Sequence, residues 1–192
     1  MFETVFSSAV TRSSQVQSQN ILQTEVRSSL NQLVSDLHDA TYGDATVPFV
    51  SMPTATSISF YSPDRQSSVL SRMRLITYQV SGNSLQRKEL LSTNTGGPPW
   101  TFPSPTSVPF STLFSSIQNT SSVFKYCTQT PRDMAIDATI NPTSPELITW
   151  KCSAPTAAAN VKTVVVRTVV STVATGEQFN YGAVATLRWN AS

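Results

Sequence analysis

A chain of 192 residues with 39% hydrophobic content carries enough apolar material for a real core, as one large domain or two small ones. Only 12% of residues are charged, so serine and threonine supply the polar surface, a composition common in secreted and cell-surface proteins. A formal charge of +2 is too small to imply a nucleic-acid partner by itself, and no run of about eighteen apolar residues is available to span a membrane.

The first element is a helix. Apolar residues at Phe2, Val5, Phe6, Ala9 and Val10, then at Leu22, Val26, Leu30, Leu33, Leu37 and Ala40, keep the spacing of one buried helical stripe. No proline or glycine intervenes before Gly43, a natural C-cap, so the helix is predicted from near residue 2 to about Tyr42. Forty helical residues reach about 60 Å, roughly twice the width of a small domain. From Val16 onward the stripe is expected to pack on the remainder of the chain. Phe2, Val5, Phe6 and Val10 are more densely apolar, and on a projecting stalk they are predicted to face other subunits or lipid. No signal peptide is read, because no basic segment precedes an apolar one; an exported-looking chain without one is expected to begin inside a longer sequence, with Met1 an expression start.

The chain then changes character, giving a division into a helix over 1–42 and a β-rich head over 43–192. Pro48 and Pro53 exclude a helix from the connection. Strands are predicted at Ile58–Tyr61, Val69–Val80 and Leu85–Leu91. Ser81-Gly82-Asn83-Ser84 reads as the hairpin turn between the last two, since Gly and Asn tolerate positive φ. Residues 92–111 read as a proline-rich loop, and Pro109–Gln118 as room for one helical turn. Further strands are predicted at Ser122–Cys127, Leu147–Cys152, Val161–Val173 and Gln178–Trp189. The Val164-Val165-Val166 run is continuous enough to predict a central strand covered on both faces.

Candidate chemistry is sparse. Cys127 and Cys152, paired, would close a loop of about 25 residues, valued at about 3–4 kcal/mol in the chain-entropy account and implying an oxidising compartment; two unpaired core thiols are the other reading. His38, the sole histidine, reads as a solvated residue near a helix C-terminus and cannot assemble a triad or a zinc site. Gly96-Gly97 precedes prolines instead of a helix, so it is a plain loop and not a phosphate cradle. Asp133 and Asp137 are a weak calcium motif, and the triplets starting at Asn119 and Asn190 are glycosylation sequons only in a host that glycosylates. Trp100 and Phe102, among prolines, read either as anchors for a partner or as a lid folded back on the sheet. Arg72, Arg74, Arg87 and Lys88 fall on the hairpin strands, either as one basic patch that could contact a nucleic-acid backbone or as a solvated sheet face. No catalytic, cofactor or metal residues are read, and no small-molecule substrate is implied.

Val5-Phe6-Ser7-Ser8-Ala9-Val10 and the Gln-rich continuation to Asp39-Ala40 look like the second half of a type IV pilin helix. Ser57-Ile58-Ser59-Phe60-Tyr61 and the hairpin Leu75 to Arg87 resemble the corresponding strands of J-type pseudopilins of type II secretion and related minor pilins. Val123-Phe124-Lys125-Tyr126 and the closing Val184 to Asn190 are similar to later strands of that group. The order of these stretches carries the likeness, with the proline-rich and cysteine-bounded loops as inserts; the prepilin cleavage site and first apolar half-helix are not in the sequence. The resemblance implies an α+β fold, a long N-terminal helix packed on an antiparallel β-sheet head. It also implies a structural subunit near the tip of a pilus or pseudopilus, helping to start assembly. Its partners would be other pilin or pseudopilin subunits, and the cytoplasmic membrane through the missing half-helix. Its place would be the periplasm or cell surface. A DNA-binding minor pilin and a surface adhesin are the alternatives.

Overall fold

The computed structural model describes residues 2–42, 49–64, 72–132, 135–136, 150–172 and 175–187, with the side chains of 2–11, 135–136 and 150–151 left out of the description. It is an α+β protein: one long N-terminal helix, α1 (Phe2–His38), and antiparallel sheets. The helix ends four residues before the predicted Tyr42. Asp39 N still donates to Ser35 O at 3.1 Å, but Ala40 N turns to Leu37 O, and Thr41 N donates to Tyr61 O at 2.9 Å. The backbone is captured by a strand before the predicted C-cap, and Gly43 lies outside the described residues.

The first sheet has the order β1 (Ser57–Pro63), β2 (Met73–Ser81), β3 (Ser84–Leu91), β4 (Ser111–Phe114), all antiparallel. The hairpin lies where the sequence put it. Ser81 pairs with Ser84, and of the two central residues only Gly82 takes positive φ, 58°. β4 replaces the helical turn predicted within Pro109–Gln118: Leu85 pairs with Phe114 and Arg87 with Ser111, around a register shift at Leu85/Gln86. The β3 edge offers ladder hydrogen bonds that an isolated helical turn of this length cannot match.

The second sheet has the order β5 (Phe124–Cys127), β8 (Thr163–Ser171), β9 (Gln178–Thr186), and β6 (Ala135–Ile136) pairs with β7 (Trp150–Lys151). A 3-10 turn, Ala158–Asn160, leads into β8. The predicted strand starts at Val69 and Leu147, and the end at Trp189, lie outside the described residues. β8 is central in its sheet, yet it is covered fully on one face only: Val164, Val166, Thr168 and Val170 are buried while Val165, Arg167 and Val169 are half-buried. Strand alternation, not a second covering layer, accounts for the run.

Segment 115–123 ties the two sheets together. Ile117 bridges Val170, Gln118 N donates to Val169 O, and Val123 N and Phe124 N both donate to Ala55 O. Asn119 completes the seam. Its Nδ2 donates to Arg167 O at 2.8 Å and its Oδ1 accepts from Val169 N at 2.7 Å. An amide held this way serves the fold; the sequon reading of Asn119 would require that nitrogen to be free.

Helix α1 lies against β9, β4 and β1. Val26, Leu30, Leu33, Leu37 and Ala40 join one core with Ile58, Phe60, Ile76 and Leu85 of the first sheet and Val164, Val166 and Val170 of the second. The head-packed stripe starts at Leu22, not at Val16: Val16 and Ile21 are 54% and 53% exposed. Leu33→Ala is expected to destabilise the protein by about 2–5 kcal/mol, the range for emptying a packed leucine site. Ile21→Ser should stay within about 0.5 kcal/mol. Urea unfolding of both variants checks this, and equal losses would contradict the packing described.

Candidate functional site

Two regions of α1 carry the candidate site: a latch that fixes its C-terminal turns to the first sheet, and an exposed stretch before Leu22.

The latch follows from strand alternation. Cross-strand partners share a face, so the pairs Tyr78–Arg87 and Ile76–Glu89 place these four side chains, with Arg74, on the helix-facing side. Asp36 meets them there, on the buried stripe three residues beyond Leu33. Tyr78 Oη donates to Asp36 Oδ2 at 2.6 Å, and Arg87 Nε donates to the same oxygen at 3.0 Å. Arg87 Nη2 donates to Glu89 Oε2 at 2.6 Å. Arg74 completes the group: its Nη1 lies 3.8 Å from Glu89, its Nη2 donates to Ser62 Oγ at 2.9 Å, and its Nε to Pro63 O at 3.2 Å. Two carboxylates and two guanidinium groups cancel formally, and nearly every strong donor finds an acceptor.

Burial, then the charge of Asp36 and the hydrogen bond to it, pushes the Tyr78 phenol far above its ordinary value. Burial alone does the same to Tyr126, whose Oη donates to Thr54 O at 2.7 Å. For Arg87 burial works against the charge, but Asp36, Tyr78 and Glu89 outweigh it and the guanidinium is held more firmly protonated than usual.

The four basic residues read from the sequence therefore do not make one patch. Arg74 and Arg87 face the helix and are paired. Lys88 alternates to the opposite face, where its Nζ donates to Pro105 O at 3.1 Å and sits 4.2 Å from the Phe110 ring centroid. Arg72 is half-buried just before β2. The proline-rich loop covers that opposite face, with Phe102 stacked on Tyr61 at 5.9 Å between centroids and Leu90 and Met73 buried. Asn94 holds the loop in shape: its Nδ2 donates to Gly97 O and Pro99 O, and its Oδ1 accepts from Thr101 N. Phe102 thus takes the lid position, and Trp100 is half-buried in the same loop.

Cys127 and Cys152 form a disulfide, with Cα atoms 5.3 Å apart, at the end of β5 and directly after β7. Asp133, Asp137 and Asn190 lie outside the described residues. His38 is half-buried in the last helical turn.

The second region is the helix before the latch. From Arg12 to Ile21 the side chains are exposed apart from half-buried Gln15 and Gln19, and Gln19 Nε2 donates to Glu177 Oε2 at the turn between β8 and β9. Val16 and Ile21, with Leu113 of β4, line an open groove along the helix. Phe2, Val5, Phe6 and Val10 belong to the same helix, on its continuation toward the N-terminus, with side chains outside the description. Sequence reasoning missed Asp36, Tyr78 and Glu89. The available signal was a carboxylate at a stripe position, which a buried stripe tolerates only when a cation faces it.

Asp36→Ala, which leaves Arg87 and the Tyr78 hydroxyl short of their shared acceptor, should cost about 3–5 kcal/mol in urea unfolding, and Asp36→Leu combined with Arg87→Met should recover most of the loss. Because Tyr78 and Tyr126 hold their protons in the folded state while the unfolded chain ionises near pH ~10, stability should be complete below that pH and fall as pH rises beyond it. Tyr126→Phe should flatten that alkaline fall in chemical denaturation; an unchanged slope would contradict the assignment. In comparison with known proteins, no family model and no curated protein matches this chain.

Proposed function

We propose that this chain is a structural subunit of a type IV pilin-like filament, a minor pilin or J-type pseudopilin that acts at or near the tip and helps initiate assembly. The observation that carries this reading is a helix longer than its head needs. Helix α1 runs from Phe2 to His38, about 56 Å at helical rise, yet among its described side chains, from Arg12 onward, the buried stripe begins only at Leu22. The exposed stretch displays Val16 and Ile21 beside the head, and the sequence continues it with Phe2, Val5, Phe6 and Val10. Apolar residues without a core of their own gain stability by association or by lipid contact.

The latch supports the same role, because a helix pinned by ion pairs as well as by leucines transmits its orientation to the head. The Cys127–Cys152 bond fits an oxidising compartment such as the periplasm or cell surface. No helix among the described residues is long and apolar enough to cross a membrane. The proposed role includes membrane anchorage through an apolar half-helix of the pilin type. Such a subunit performs no catalysis and needs no cofactor. Its partners are other subunits of the filament. Pairing of Arg74 and Arg87 with Glu89 and Asp36 leaves a DNA-binding role little basic surface on this hairpin.

Replacing Phe2, Val5, Phe6 and Val10 together by Ser in the membrane-anchored protein is expected to abolish filament assembly, scored by shearing and electron microscopy. Head stability should change by less than about 0.5 kcal/mol. A loss of head stability equal to that of Leu33→Ala would count against the proposal.

A further inference from the structure

Two edge strands, one from each of the two larger sheets, are treated differently. Along β1 the chain covers its own edge: Thr41 N donates to Tyr61 O, Val50 N donates to Ser59 O, and Phe49 bridges Phe60. β9 is an edge of the second sheet, with β8 on one side and, among the described residues, no strand on the other.

The ladder tells which groups are left over. Thr172 N donates to Glu177 O and Leu187 N to Lys162 O, both in the register that runs from Ser171–Gln178 to Thr163–Thr186. Hydrogen-bonded and non-bonded pairs alternate along an antiparallel ladder. Phe179, Tyr181, Ala183 and Ala185 therefore turn their N–H and C=O toward β8. Gln178, Asn180, Gly182, Val184 and Thr186 turn theirs to the open side, in one evenly spaced row. The strand has no charged residue, no proline and no register shift. These are the devices by which folds protect an edge from pairing.

The surroundings define what fits. On the helix-facing side the half-buried rings of Phe179 and Tyr181 would flank the side chains of an added strand, which calls for apolar residues there and polar ones on the opposite face. Arg27 of α1 is exposed and close enough to Tyr181 for its charge to act on the phenol, and among the described residues no carboxylate pairs with it. We propose that the open edge of β9 is a β-augmentation site for an extended segment of a partner protein, alternating apolar and polar, with an acidic side chain on the helix-facing side. A second copy is a poor occupant. Twofold β9–β9 pairing sets two α1 helices antiparallel, which subunits anchored by that helix in one membrane cannot adopt; this choice of occupant rests on the proposed function.

The test is amide hydrogen exchange on the full chain with a capped peptide of about nine alternating Val and Thr residues carrying one central Glu in place of Val. Exchange at Asn180, Gly182 and Val184 should slow, while Tyr181 and Ala183, already paired to β8, stay unchanged. The same peptide with Lys for Glu should bind about tenfold more weakly, and Arg27→Gln should erase that difference. A peptide N-methylated at alternate amides should give no protection, a control that leaves the protein unaltered. Unchanged exchange at Asn180, Gly182 and Val184 with the Glu peptide overturns the site but leaves the filament reading standing, since that is read from assembly of the Phe2, Val5, Phe6 and Val10 variant. Slowing without peptide that grows with protein concentration identifies a second copy and overturns the choice of partner.

Discussion

The structure depends on one helical stripe that serves two sheets at once. Val26, Leu30, Leu33 and Leu37 belong to the same core as residues of both sheets, so the helix is the common floor on which two short antiparallel layers meet. Each such side chain contributes about 2 kcal/mol by burial, stabilisation that neither sheet has with its inner apolar face left in water. The seam through Asn119 and Ile117 aligns the sheets along the chain, but it is built of polar groups and one bridge. Without the helix both inner faces would lie in water.

Placing Asp36 inside that stripe creates a problem that the sheet must solve. A buried carboxylate is costly unless it is paired and hydrogen-bonded, and Tyr78 and Arg87 do both at one oxygen. Arg87 then needs Glu89, and Glu89 draws in Arg74. The whole chain of charge follows from one acidic residue on the wrong side of a helix. Buried ion pairs often add less stability than apolar residues of the same volume; what the shared oxygen supplies besides is direction, since Tyr78 and Arg87 must both reach it, at 2.6 and 3.0 Å.

Much of the fold was legible in the sequence. The helix, its stripe from Leu22 to Ala40, the Gly82 hairpin and the strands flanking it follow from periodicity and turn chemistry, which are local. Failures came where tertiary pairing decides. Thr41 leaves the helix because Tyr61 offers a carbonyl, and Ser111–Phe114 extends because β3 has a free edge; neither partner is near in sequence. The valines of β8 looked two-sided because β-branched residues also serve a half-buried face. The basic residues were misjudged for a simpler reason. Arg87 and Lys88 are adjacent, and adjacent residues in a strand point to opposite faces. Asp36, the centre of the latch, was legible as a misplaced charge but not as a partner of Arg87, because 51 residues separate them.

Among the described residues, two features that the fold leaves unfinished lie side by side, on α1 and on β9. The helix leaves Val16 and Ile21 exposed, and β9, the strand most closely applied to that helix, has among the described residues no strand on its outer side. Elsewhere the chain covers several of its own exposures: the proline-rich loop roofs Tyr61 and Leu90, Thr41, Phe49 and Val50 pair with β1, and Asn119 satisfies the seam. A sequence that solves such problems locally, yet among its described residues leaves these two surfaces open beside one helix, is not short of means to solve them. Consistency across levels is what folding demands, and departures from it gather where function needs an unsatisfied surface. In the proposed role the latch matters to that surface, because an exposed helix face and an open strand edge can be recognised together only if the angle between helix and sheet is held fixed.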